Sequence, residues 1–247
     1  MKKISLFCLL LVYFSSMAFA AMEDTWNGLL DKYAYEGEKN RVKLILVDYQ
    51  GLKTDPMWRK LLQEVKNAPQ PATGNAEIAF WINIYNIGAV KMIVDNYPLK
   101  SIRDKSGLFN PVWGQPIITA RGKRYSLGYI EHEILRKIGE PRIHFAIVCA
   151  SVSCPDLRQS AFNSASLSYQ LDEQAMNFLH NKKKGFFIDK EKRKIYISSI
   201  FKWFQDDFGD VRSFLAKYLP EYEKELLDKT YEIEYLHYDW ALNGLFD

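Results

Sequence analysis

Three rhythms of apolar and polar positions run along the chain. The first is an unbroken run. Ile4 to Phe14 is almost wholly apolar behind Lys2 and Lys3, and Ser15, Ser16 and Met17 lead into Ala18-Phe19-Ala20. A positive start, an apolar stretch and a small-x-small ending are the parts of a cleavable secretory leader, expected over residues 1–20, with the working chain starting near Ala21. The run is well short of the ~20 residues that cross a bilayer, so no stable membrane span is expected after cleavage. Cys8 lies inside this run without the preceding small residues of a lipoprotein cleavage site, and reads as part of the leader.

The second rhythm is helical. Trp26, Leu29, Leu30 and Tyr33 recur at helical spacing after Asp24. Thr54-Asp55-Pro56 is a helix start, with Thr54 as N-cap and Pro56 in the first turn, ahead of an apolar face of Leu61, Leu62 and Val65. Apart from a short strand over 42–49, residues 21–74 form a helical lead-in. Asn75 then caps the most apolar helix, about 76–94, in which Ile78, Phe80, Trp81, Ile82, Ile84, Ile87, Val90 and Ile93 leave no polar face. Such a helix is central to a core. Ser126 caps a helix carrying Leu127, Ile130, Ile134 and Leu135 that ends at Gly139 and Pro141, and Ser166 opens another running to about His180.

The third rhythm is short. Hairpins are expected over 116–125, turning at Ala120 to Lys123, and over 186–197, turning at Asp189 to Arg193. Arg142 to Cys149 reads as a strand of the buried type with His144 inside it, and residues 231–238 give a late strand. Helices mixed with hairpins, without regular alternation, make this an α+β fold. The core domain is expected over 75–247 as a single unit, its apolar helix packed on a small, mostly antiparallel sheet.

Charge alters the picture once the leader is set aside. It takes two lysines of the 33 bases, which leaves 31 against 30 acids, so the sequence pI of 8.5 overstates the basic character. No electrostatic case for nucleic acid remains. Cys149 and Cys154 are the cysteines left in the exported chain. A periplasmic or secreted location permits a disulfide between them, and a thiol left unbridged calls for a chemical account.

Four clusters carry candidate chemistry. The segment from Arg142 through Cys149 to Ser153-Cys154-Pro155 offers two thiols, with His144 nearby in sequence. On a regular strand His144 and Cys149 face opposite ways, which makes them a poor pair. Glu131-His132-Glu133 places an imidazole between carboxylates that raise its pKa or orient its ring, as a general base. No spacing typical of a metal site occurs, so neither metal nor cofactor is expected. Asn83 and Asn86 are two amides on one face of an apolar helix, and either hold loops or bind substrate. Asp239 and Asn243, in Tyr238-Asp239-Trp240-Ala241-Leu242-Asn243, either clamp the tail or orient a histidine. His180 at a helix end and His237 read as a helix-dipole partner and a surface residue.

Taken together, the segments at 80–86, 130–136, 142–155 and 238–243 resemble the domain-of-unknown-function family numbered 547, over about residues 75 to 243. The resemblance implies a domain found widely in bacteria and, in plants, behind coiled-coil segments, which suits an interaction role. It supplies no reaction. Two functions remain open. One is a binding or scaffolding module outside the cytoplasm, with a peptide, glycan or protein partner. The other is a thiol hydrolase or acyl transferase, with Cys149 or Cys154 as nucleophile, His132 or His144 as base, and Asn83, Asp239 or Asn243 as orienting group. Glu131 joins either site as a binding residue.

Overall fold

The computed structural model describes residues 6–106 and 111–245. The expected leader up to Met17 lies outside the residues whose side chains are described. Helix α1 (Leu6–Tyr33) buries Met22, Trp26, Leu29 and Leu30 at helical spacing, and Trp26 meets Trp58 of α3 (Pro56–Asn67) at 6.4 Å between ring centroids. Between these helices lies an antiparallel hairpin, β1 (Ala34–Lys39) with β2 (Val42–Val47), then α2 (Tyr49–Thr54). The lead-in is thus helical apart from a full hairpin, whose first strand is too polar to signal itself. The cap of α3 is Asp55, not Thr54: the Asp55 carboxylate accepts the Met57 N–H at 2.8 Å, while the Thr54 hydroxyl donates back to the Gly51 carbonyl.

Helix α4 (Asn75–Asn96) occupies the centre and is buried from Ile78 to Val90 without interruption. Its N-cap is Gly74, with φ of +75°, a left-handed conformation that suits glycine, and Asn75 is the first helical residue. It is long and apolar enough to cross a membrane by composition, yet 89% of that window is buried inside the domain. Gly88 sets how closely it packs. A Cβ there would come within 3.1 Å of Leu127 and 3.4 Å of Ile118, on the next two elements of the core.

Those elements are the hairpin β3 (Pro116–Ala120) with β4 (Lys123–Ser126), turning through Arg121 and Gly122, both at positive φ, and the helical segment α5 (127–138). Ser126 caps α5 by accepting the Tyr129 N–H, and Gly139 ends it in the left-handed region. Over Ile130–Leu135 the segment widens into a π-helix, a form that tends to occur at functional sites. Helix α7 (Leu167–Leu179) follows Ser166 as expected. A third sheet joins β5 (Phe186–Asp189) antiparallel to β6 (Lys194–Ile197), and β6 parallel to β7 (Glu232–Tyr235). Between β6 and β7 lie α8 (Ile200–Trp203), α9 (Gln205–Phe208), α10 (Val211–Tyr218) and α11 (Glu223–Leu227). The fold is α+β, but among the described residues its strands form three separate small sheets, one of them mixed, in place of the one mostly antiparallel sheet expected.

The run Arg142 to Cys149 is not a strand. Pro141 begins a turn in which the N–H groups of Ile143, His144 and Phe145 donate three residues back, and Ile143–Ala146 form a short helix, α6. The chain becomes extended only from Ile147. No strand lies beside this stretch. Its neighbour is a side chain: Asn86 donates to the Ala146 carbonyl at 2.9 Å and accepts the Val148 N–H at 3.0 Å.

Two hydrophobic clusters meet at α6. Ile143 and Ala146 belong to the cluster around α4, and Phe145 to the one that fills the space between α7, the third sheet and α8–α11.

Candidate functional site

A cavity of about 280 Å³ opens on the seam between the two clusters. Tyr85 and Ile147 line it from the first, Ile200 and Phe204 from the second, and Trp113, Trp203, Tyr238 and Trp240 add an aromatic wall. Trp203 stacks on Trp240 at 5.7 Å, and Trp113 meets Trp240 edge-on at 5.9 Å. Glu131, His132, His144, Cys149 and Cys154 face the same space. These five sequence candidates therefore converge on one cavity.

The thiol is presented by a tight loop. Ala150 sits at φ +58°, a costly conformation for a residue with a Cβ, and the Cys154 N–H closes a turn onto the Ser151 carbonyl. The tail holds this loop in place. Asn243 N–H donates to the Ala150 carbonyl, Val152 N–H to Ala241, Ser153 N–H to Asp239, and the Ser153 hydroxyl accepts the Asp239 N–H at 2.8 Å. Backbone strain of this kind persists only where surrounding bonds enforce it, as these do.

Both cysteines are free thiols. The Cys149 N–H donates to the Cys154 sulfur at 2.8 Å, while the Cys149 sulfur lies 3.2 Å from the Ser151 hydroxyl and 3.4 Å from the Tyr238 hydroxyl. Hydrogen bonds from Cys154 first, and then from Ser151 and Tyr238, bring the Cys149 thiol down to about 7 against the opposing effect of burial. Burial drives Cys154 and Tyr238 well up, so both keep their protons and serve as donors. Cys149 is thus the ionisable member of the pair, and Cys154 its support.

The histidines do something other than the expected base work. Cys149 makes no hydrogen bond to an imidazole among the described residues. His144 Nε2 donates to the Asp207 carboxylate at 2.7 Å, and its ring stacks on Phe204 at 4.1 Å. Arg136 grips the same carboxylate with two bonds, of 2.6 and 2.8 Å, and turns Nη1 to His132 Nδ1 at 3.0 Å. Arg136 can only donate, so His132 accepts there and is neutral in this arrangement. The neighbouring carboxylates Glu133 and Asp207 favour a charged His132 but are outweighed. Burial and then the Arg136 charge lower it. Glu133 points away and pairs with Lys137. Asp207, which the sequence reading passed over, joins the two histidines through Arg136.

Glu131 is only 5% exposed, and its Oε2 accepts from the Tyr85 hydroxyl at 3.1 Å. Burial, reinforced by the charge of Cys149, pushes its carboxyl up to about 7. His144 goes the other way, pushed down to about 4 by burial despite Asp207. The two oppose one another in acid. Unfolded His144 takes up a proton below its ordinary 6.5, so its contribution is full above that pH and is lost as the pH falls toward 4. Folded Glu131 keeps a proton that the unfolded chain releases above 4.5, so its contribution falls as the pH rises from there toward 7. Each slope reaches at most about 1.4 kcal/mol per pH unit. Glu131→Gln removes one slope. The variant should lose about 1–3 kcal/mol more stability than the parent between pH 6.5 and 4.5 in urea unfolding. Parallel curves would contradict this assignment.

The remaining candidates are scaffold. Asn83 donates to the Phe162 carbonyl at 2.7 Å and accepts the Phe162 N–H at 2.9 Å. Asn86 holds the 146–148 backbone, Asn243 accepts from the Tyr49 hydroxyl at 2.7 Å and donates to the Ile45 carbonyl, and Asp239 accepts from Asn40 at 2.7 Å. None of the four lines the cavity or touches a histidine, so the binding and orienting roles considered for them give way to clamping. His180 bonds the Met176 carbonyl at the end of α7, and His237 is exposed, as expected. No group of three or more metal-ligating side chains occurs among the described residues. A wider groove of about 880 Å³ lies between the β1–β2 hairpin and α7; Arg158 pairs with Glu173 inside it, and no thiol or histidine lines it.

Fold and site together define an α+β domain with an aromatic cavity around a supported thiol. Residues 69–179 match the model of the family described as "Protein of unknown function, DUF547". The match covers α4, α5, α6 and both cysteines, while Trp203, Asp207, Tyr238 and Trp240 lie beyond it. No curated protein and no solved structure matches the chain.

Proposed function

We propose that this is an exported binding domain whose ligand is a small molecule with a planar apolar body and one hydrogen-bonding end. The cavity carries the reading. Its walls are indole and phenyl rings, and its polar groups gather at Cys149, Tyr238 and Glu131. Small-molecule sites share this division between apolar lining and a few placed polar groups, and about 280 Å³ lies just below their usual range of roughly 300–1,000 Å³. The leader-like first 20 residues support a place outside the cytoplasm.

Trp203 offers a clean test, since its side chain stacks only on the aromatic wall and is 46% exposed. The neutral fluorophore N-phenyl-1-naphthylamine should bind the full chain and brighten. Trp203→Ala should weaken that binding by about tenfold, corresponding to about 1.4 kcal/mol, without changing the melting temperature by more than a few degrees. Unchanged affinity in the variant, or no binding by the parent, would count against the cavity as a ligand site.

A further inference from the structure

We propose that Cys149 is a nucleophile that takes an acyl group from an ester or thioester held in this cavity, with Glu131 as the acid for the leaving group. The proposal rests on the cavity being a ligand site and adds a reaction to it. Three geometric facts carry it. The thiol stands on a strained loop between Ser151 and Tyr238, so its sulfur meets two hydroxyl donors and opens onto the cavity. Cys154, on the same loop, accepts the Cys149 N–H at its sulfur, 2.8 Å away. Glu131 lines the same cavity, almost wholly buried, with one oxygen on Tyr85 and the other, Oε1, unbonded among the described residues.

The expected division of labour in a thiol enzyme is thereby altered. An imidazole normally draws the proton from the sulfur. Here His144 is spent on Asp207 and His132 on Arg136, and hydroxyl and thiol donors stabilise the thiolate instead. The acid is the buried carboxyl, which carries its proton near neutral pH.

The step balances without any outside oxidant. The Cys149 thiolate attacks the carbonyl carbon and forms a carbon–sulfur bond. The bond to the leaving oxygen or sulfur breaks, and that atom takes the Glu131 proton and departs as an alcohol or thiol. Water then adds to the acyl-thioester and gives one proton to the Glu131 carboxylate. The carbon–sulfur bond breaks, which returns the Cys149 thiolate, protonated Glu131 and a free carboxylic acid.

The test uses the reduced full chain with p-nitrophenyl butyrate and phenyl butyrate. Mass spectrometry should find one butyryl group on Cys149, formed about 100-fold faster than on glutathione. Glu131→Gln should slow phenyl butyrate by about 100-fold and leave p-nitrophenyl butyrate, whose leaving group needs no acid, nearly unchanged. Adducts mapped on the parent protein keep the test open even where Cys149→Ser folds poorly. Acylation no faster than glutathione, or adducts on lysines instead of Cys149, would overturn the nucleophile. Equal slowing of both esters in Glu131→Gln would overturn the acid. N-phenyl-1-naphthylamine binding separates the two levels: bound fluorophore without acylation defeats the reaction alone, while absence of both defeats the cavity reading.

Discussion

Asn86→Leu is expected to destabilise the domain by about 2–6 kcal/mol, because it strands two buried backbone groups at ~1–3 kcal/mol each. The side chain is nearly isosteric, so packing around α4 changes little. What is lost is the bond to the Ala146 carbonyl and the bond from the Val148 N–H, in a stretch with no neighbouring strand to replace them. Urea unfolding measures the cost, and a loss under about 1 kcal/mol would show that water or a local shift satisfies these groups instead. Asn83→Leu offers an internal comparison. It strands the Phe162 N–H and carbonyl in the same way, at similar cost, but in the loop ahead of α7 and not in the stretch that leads into Cys149. Both variants should lose stability, and only Asn86→Leu should alter the reaction rate of Cys149 with an alkylating reagent.

These amides also show what a sequence reveals and what it hides. Two asparagines in a helix without a polar face had to find partners, and holding loops was one of the two roles that need allowed, beside binding substrate. The central helix, both later hairpins, the cap at Ser126 and the start of α7 after Ser166 were legible for similar local reasons. The stretch from Arg142 to Cys149 was not. Ile, Phe, Ile and Val in a short apolar run satisfy a buried strand and a buried turn equally well, and periodicity cannot separate the two. The deciding partner, Asn86, stands about 60 positions away. Once the strand is gone, the argument that put His144 and Cys149 on opposite faces goes with it, and both residues turn to one cavity. Asp207 was hidden for a related reason. It lies on a four-residue helix 63 positions from His144, and its only local mark is an acidic pair between Phe204 and Phe208. Such a pair on an exposed turn is ordinary, and only tertiary packing brings Arg136 and His144 to it. The thiols and Glu131 were visible as candidates, but the roles proposed for them rest on burial and hydrogen bonds that no spacing encodes.

Lys184→Met should cost about 2–4 kcal/mol, the largest effect expected from a residue that touches neither the cavity nor α4. Its side chain is fully buried, and its ammonium donates to the Cys154 carbonyl at 3.0 Å and to Asp156 Oδ1 at 2.7 Å. Removing one partner of a buried pair ordinarily costs about 3–5 kcal/mol, because the other charge is left without compensation. The figure is reduced here because Asp156 is 26% exposed and water can reach it. Methionine preserves length and apolar contact, so the loss reports the polar contacts and not a void. Asp156 Oδ1 also accepts the Ile45 N–H at 3.0 Å, which ties β2 to the segment that carries the thiols. Adding Asp156→Asn to Lys184→Met removes the stranded charge while keeping an acceptor for Ile45, and should restore about half of the lost stability, as measured by urea unfolding. If the double variant is no more stable than the single, the cost lies in the unsatisfied Cys154 carbonyl. Lys184 would then act on the thiol loop directly, as the donor that fixes the backbone behind Cys154.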